Sequence, residues 1–162
     1  MALFMRMQNY RDKHTILIMH RELFPINSLF WGAAMEKAKI LIVEDDKSNA
    51  ELMKLLMSQN GYGICDVVAT GEDAVDVAQK NCPDLILMDI SLQGSIDGIT
   101  ACEIIRKTNY IPLIYVTAYT DIDICAKAME TRPSGFIVKP FTNKQLIEQV
   151  ERVLLGSKQF AS

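Results

Sequence analysis

From Lys39 onward the chain alternates two kinds of segment: short runs made almost wholly of Ile, Leu and Val, and longer stretches whose apolar residues recur every three or four positions. Short apolar runs alternating with helical periodicity are the pattern of βαβ units, and runs that are apolar at nearly every position belong to strands covered on both faces. The segments 40–43, 64–69, 85–88, 113–116 and 136–138 are the five expected strands.

The stretches between them predict five helices. Leu52, Met53, Leu55, Leu56 and Met57 mark a first, starting near Lys47 and closed by Gly61 as its C-terminal cap. Ala74, Val75, Val77 and Ala78 mark a second, ended before Pro83, and Ile99, Cys102, Ile104 and Ile105 a third, after which Pro112 introduces the fourth strand. A fourth, less apolar helix over 121–130 carries Ile122, Cys125, Ala126 and Met129 on one stripe. The fifth opens on a capping box, Thr142 with Gln145, continues through Leu146, Ile147, Val150, Val153 and Leu154, and has Gly156 beyond its end. Five such units predict one α/β domain over 35–156, a doubly wound five-stranded parallel sheet flanked by five helices, followed by a short tail over 157–162.

Composition narrows the function classes. The 162 residues, 49% hydrophobic and 23% charged, suit one globular domain. The net charge of -3 hides a basic leader: Arg6, Arg11, Lys13 and Arg21 oppose only Asp12 and Glu22, leaving an acidic remainder without the footprint that nucleic-acid binding needs. Both histidines, His14 and His20, lie in that leader, which excludes histidine chemistry downstream. Cys65, Cys82, Cys102 and Cys125 are 17, 20 and 23 residues apart, which matches neither a zinc site nor a redox pair. They read as buried, reduced thiols, which favours the cytoplasm. The apolar run 15–19 is closely flanked by charges and is too short for a signal core or a membrane span.

In an open parallel sheet, residues just past the carboxyl ends of the strands converge on one crevice. Here those positions are polar: Glu44, Asp45 and Asp46 after the first strand, Asp89 after the third, Thr117 after the fourth and Lys139 after the fifth. Crowded carboxylates raise one another's pKa unless a cation intervenes, and oxygen-only ligands select magnesium or manganese. Magnesium takes one or two carboxylates together with waters and phosphate oxygens, so the cluster suits phosphoryl chemistry with Asp89 as nucleophile. Each element taken singly also fits a bland role: a helix cap, a strand end, a solvated lysine.

Taken together, the motifs resemble the receiver domains of two-component response regulators. Ile40-Leu41-Ile42-Val43-Glu44-Asp45 resembles the family's first strand and acidic pair, Leu85-Ile86-Leu87-Met88-Asp89 its phosphorylation-site strand, and Asp97-Gly98 the turn that opens its third helix. Ile114-Tyr115-Val116-Thr117-Ala118 resembles the switch strand, and Phe136-Ile137-Val138-Lys139-Pro140-Phe141 the final motif. The spacing from Asp89 to Asp97 is eight residues, one longer than the commonest form, with Gly94 where a proline often sits.

The resemblance implies a flavodoxin-like sheet in the order 2-1-3-4-5 and Asp89 as phosphoacceptor, supported by Lys139 and Thr117. It implies Mg2+ (or Mn2+) held by Glu44, Asp45, Asp89 and the backbone carbonyl of Ser91, with Asp45 a direct ligand and Asp46 the helix cap. Thr117 and Phe136 take the switch positions, Ser91, Ala118 and Tyr119 those that set phosphoryl lifetime, and the Lys139–Pro140 bond is expected to be cis. A histidine kinase or histidine phosphotransfer protein is the implied donor. Output is expected through the surface of the fourth helix, fifth strand and fifth helix, to a downstream protein or a second copy. The role is that of a signalling phosphoacceptor with intrinsic self-phosphorylation and self-dephosphorylation chemistry. Two rivals remain: a haloacid-dehalogenase-type phosphohydrolase, which expects an Asp where Ser91 stands, and a receiver-like module that is never phosphorylated. Residues 1–34 fit no part of the family; Met35 is the expected initiator, the alternative being an appended segment with Phe24, Phe30 and Trp31 as a docking patch.

Overall fold

The computed structural model describes residues 38–159, and the expectations for 1–34, Met35 and the end of the tail lie outside them. Among the described residues five strands, β1 (Lys39–Val43), β2 (Gly63–Val68), β3 (Leu85–Met88), β4 (Leu113–Thr117) and β5 (Gly135–Val138), alternate with five helices. The helices are α1 (Lys47–Gln59), α2 (Gly71–Asn81), α3 (Gly98–Thr108), α4 (Ile122–Glu130) and α5 (Asn143–Gln159). All neighbouring strands pair in parallel, in the order β2-β1-β3-β4-β5. The expected fold class and strand order are therefore present.

Two cores sandwich the sheet, and strand periodicity divides them. Leu41, Val43, Ile86, Met88, Leu113 and Tyr115 point to the side of α2, α3 and Ala128 of α4. Ile40, Ile42, Leu85, Leu87, Ile114 and Val116 point to the side of α1 and α5, against Met53, Met57, Leu146 and Val150. β1, β3 and β4 are buried at almost every position, whereas the edge strand β2 is mostly half-buried. Two-sided covering thus holds for the centre of the sheet and weakens at its edge.

Local signals set the helix ends. Asp46 caps α1, accepting the Asn49 N–H at 2.8 Å. The helix leaves through Gly61 at φ 86°, where the Tyr62 N–H reaches Met57 O at 3.0 Å, a Schellman closure that left-handed backbone favours. Asp97 caps α3 through the Thr100 N–H at 2.7 Å. In the capping box of α5 the Thr142 N–H donates to Gln145 Oε1 at 2.7 Å, and the Gln145 N–H donates back to Thr142 Oγ1 at 3.3 Å.

Three sequence expectations are corrected. α5 does not stop at Gly156 but runs on to Gln159, because a lone glycine weakens a helix without ending it. The stripe on α4 faces outward: Ile122 is 83% and Met129 57% exposed, and only Ala128 of that helix is fully buried. The four cysteines are not uniformly buried; Cys102 is in the core, Cys65 and Cys125 are half-buried, and Cys82 is exposed in the left-handed residue that ends α2. No helix among the described residues is long and apolar enough to cross a membrane.

Candidate functional site

The ladder of the sheet continues one residue past the strands and places the acidic residues side by side. The Glu44 N–H donates to Val68 O, and the Asp89 N–H to Val43 O, both at 2.9 Å, so the residues that follow β1 and β3 leave the sheet together. Two strands away, the Lys139 N–H donates to Thr117 O at 2.8 Å, fixing the lysine just after β5. The peptide bond from Lys139 to Pro140 is cis.

At this rim the Lys139 ammonium bridges two carboxylates, lying 2.5 Å from Glu44 Oε2 and 2.6 Å from Asp89 Oδ2. The Glu44 and Asp89 side chains are 1% and 8% exposed and that of Lys139 13%, so this is a partly desolvated triad rather than a surface ion pair. Asp89 uses its other oxygen too: Oδ1 accepts the Ser91 N–H at 3.1 Å. Asp45 completes the cluster, with one carboxylate oxygen from each of Glu44, Asp45 and Asp89 lying within 4.8 Å of one another.

The electrostatics follow from burial and pairing. Burial pushes the Glu44 carboxyl above its ordinary range, against the opposing pull of Lys139, and the Asp89 charge pushes it further in the same direction. Burial also works against the Lys139 ammonium, but hydrogen bonds and attraction to Asp89 and Glu44 outweigh it and raise its pKa. With all four groups ionised, three carboxylates face one ammonium, leaving two negative charges uncompensated. An oxygen-only donor set with that deficit fits a hard divalent cation.

The remaining sequence-predicted residues take distinct places. Thr117, fully buried at the end of β4, accepts the Tyr119 N–H on its hydroxyl at 3.2 Å. Ala118 and Tyr119 follow it on the exposed side. The Ser91 side chain is exposed, while its backbone turns at Asp89. Phe136 is half-buried, with its ring centroid 6.0 Å from that of Tyr115, and Tyr115 in turn bonds Thr131 Oγ1 through its hydroxyl at 3.1 Å. Beside β5 and α5 lies a cleft of about 520 Å³ lined by Phe136, Val138, Gln145, Gln149 and Arg152 among others.

Two contributors were not singled out in the sequence. Asn49 Nδ2 reaches Glu44 Oε1 at 3.4 Å from the first turn of α1, and its place three residues after the Asp46 cap was the available signal. The second is Glu72, in the first turn of α2, whose carboxylate meets the loop that follows Asp89: Oε1 accepts the Ser95 N–H at 2.7 Å. Nothing in the periodicity links residues 23 apart in this way.

Comparison with known proteins finds relatives in sequence and in fold. A family model described as the response regulator receiver domain matches residues 40–151. The DNA-binding response regulator MtrA of Mycobacterium tuberculosis (strain ATCC 25618 / H37Rv) is 32% identical over 114 residues, covering 70% of this chain and 49% of that protein. The chain spans about half the length of the curated relatives it matches. Among solved structures, the N-terminal domain of a response regulator/sensory box/GGDEF 3-domain protein from Carboxydothermus hydrogenoformans is 34% identical with a TM-score of 0.70, covering 76% of this chain and 99% of that one. A CheY-like receiver domain protein from Methanospirillum hungatei JF-1, at 23% identity, TM-score 0.73 and coverage of 76% and 98%, shares the fold.

Proposed function

Since the chain belongs to the response regulator receiver-domain family, we propose that it accepts a phosphoryl group on Asp89 from a phosphorylated histidine kinase or histidine phosphotransfer protein and signals through a rearranged surface. The observation that carries this reading is the convergence of Asp89, Glu44 and Asp45, with Lys139 Nζ 2.6 Å from Asp89 Oδ2. A carboxylate held among a cation-seeking cluster and a fixed ammonium has both the nucleophilic oxygen and the positive charge that phosphoryl transfer needs.

In the proposed reaction a bond forms between an Asp89 carboxylate oxygen and phosphorus as the phosphorus–nitrogen bond of the donor's phosphohistidine breaks. Glu44, Asp45, Asp89 and the Ser91 backbone carbonyl would hold Mg2+ or Mn2+. When bound, that ion supplies charge neutralisation and a template for the phosphoryl oxygens. Lys139 neutralises one phosphoryl oxygen, and the Thr117 hydroxyl donates a hydrogen bond to another. Exposed Ala118 leaves room beside the phosphoryl group, and Ser91 and Tyr119 control how readily water reaches it.

The switch follows from the same contacts. When the Thr117 hydroxyl leaves the Tyr119 N–H for the phosphoryl group, Phe136 turns inward, and the surface of α4, β5 and α5 is reshaped. Moving such an equilibrium from about 1% to 99% active takes about 5.5 kcal/mol of differential stabilisation, within reach of a doubly charged group making several charge-assisted contacts. The exposed stripe of Ile122 and Met129, together with Val138, gives that surface apolar area for a downstream protein or a second copy of the chain. This is signalling in the cytoplasm by a phosphoacceptor with its own phosphorylation and dephosphorylation chemistry, without direct contact between this domain and nucleic acid.

The test is phosphotransfer from labelled histidine kinases in magnesium. Transfer from at least one kinase to the wild-type chain and none to Asp89→Asn supports the reading; equal labelling of both refutes the assignment of Asp89.

A further inference from the structure

The loop between β3 and α3 carries the residues that follow Asp89. Its two ends are pinned by short-range bonds, the Ser91 N–H to Asp89 Oδ1 at 3.1 Å and the Gly98 N–H to Ile90 O at 2.9 Å. Its middle is held from outside, by the start of α2. Gln93 forms an isolated parallel bridge with Thr70, and Glu72 Oε1 accepts the Ser95 N–H at 2.7 Å.

The fit between these two segments is close. Gly94 adopts φ 110°, and a Cβ there would lie 2.5 Å from Glu72 Oε2. A Cβ on Gly71 would lie 2.7 Å from both Ile96 Cγ1 and Ile96 O. Hydrogen bonds from its own backbone N–H and from Ser95 hold the Glu72 carboxyl below the usual carboxylate range, with Ile96 adding to them, so the carboxylate form is the one that grips the loop.

We propose that Glu72 is a positioning residue for the cation subsite: its carboxylate, clasping the 95–96 backbone, fixes the loop and with it the direction of the Ser91 carbonyl. This rests on the reading above that the Ser91 carbonyl is a cation ligand. A loop without regular structure samples many conformations, so a carbonyl within it is pre-aimed only if another element restrains it. Glu72 supplies that restraint from a helix anchored by the Thr70 cap, whose hydroxyl accepts the Asp73 N–H at 3.1 Å.

The experiment titrates MgCl2 into the full chain, E72Q and E72A, following backbone amide shifts at Asp45, Asp89 and Ser91, with urea unfolding of each ion-free protein alongside. The wild-type amides move saturably. E72A raises the magnesium dissociation constant about tenfold, the lower end of the effect of removing an outer-shell partner, and E72Q, which retains an acceptor oxygen, raises it less. A role confined to stability would lower the urea midpoints while leaving the dissociation constants equal, and that result overturns the inference. Absence of magnesium shifts in the wild type would instead remove the cation reading on which the inference stands.

Discussion

There is no room for a side-chain carbon at Gly98, because a Cβ there would sit 2.0 Å from the carbonyl oxygen of Asp89. The helix that follows β3 starts against the backbone of the candidate acceptor itself, so residue 98 bears on the site through its lack of a side chain as well as through its N–H bond to Ile90 O. Gly98→Ala must displace either α3 or Asp89. Overpacking of this kind costs about 3 kcal/mol, and since the displaced atom belongs to Asp89, phosphorylation should slow as well. Urea unfolding together with the rate of labelling by acetyl phosphate checks both effects; an alanine variant of wild-type stability would contradict the close approach.

The Lys139 contacts predict a pH-dependent stability. Removing the ammonium in Lys139→Met leaves Glu44 and Asp89 facing each other half-desolvated, and breaking such a pair costs about 3 kcal/mol at neutral pH. Because the folded-state pKa of Lys139 is raised, its stabilisation is fully present below the unfolded value of 10.5 and is lost as pH rises through the higher folded value. Chemical denaturation across the alkaline range should show the gap between wild type and variant closing above pH 10.5. MgCl2 should stabilise the variant more than the wild type, since the ion then supplies the missing positive charge.

Glu44 gives the opposite end of the scale. Burial raises its pKa above the ordinary value of 4.5, so in the ion-free protein the folded state holds this proton more tightly than the unfolded chain does. The associated stability is fully present below pH 4.5 and is lost as pH rises through the folded value. Relative to Glu44→Gln, wild type should therefore lose stability on going upward from pH 4.5 in EDTA, and magnesium should flatten or reverse that trend. Urea midpoints of both proteins over this window, with and without the ion, measure it; identical pH trends in EDTA would contradict the burial argument.

What the sequence revealed, and what it hid, follows from how local each signal is. Strand runs such as 85–88 and helix ends such as the Thr142–Gln145 box are written within a few residues, and both are found in the fold. The rim residues Glu44, Asp89 and Lys139 were legible because parallel-sheet topology sends strand ends to one place, even though 95 positions separate Glu44 from Lys139. The outward stripe of α4 was not, because periodicity reports that a helix has an apolar face without saying whether anything covers it. Nor was the contact of Glu72 with Ser95, which depends on the path of a loop with no repeating pattern. The exposure of Cys82 belongs to the same class: its backbone sits at φ 44°, at the end of α2, and residue type alone does not report that.

Whether Asp89 takes the phosphoryl group is read from the intact mass of the protein after incubation with acetyl phosphate and MgCl2. The wild-type chain should gain the mass of one phosphoryl group, gain none when EDTA is added before the phosphodonor, and gain none as Asp89→Asn. A mass gain that survives in Asp89→Asn, or a wild-type chain that gains none in the presence of magnesium, would rule out Asp89 as the acceptor.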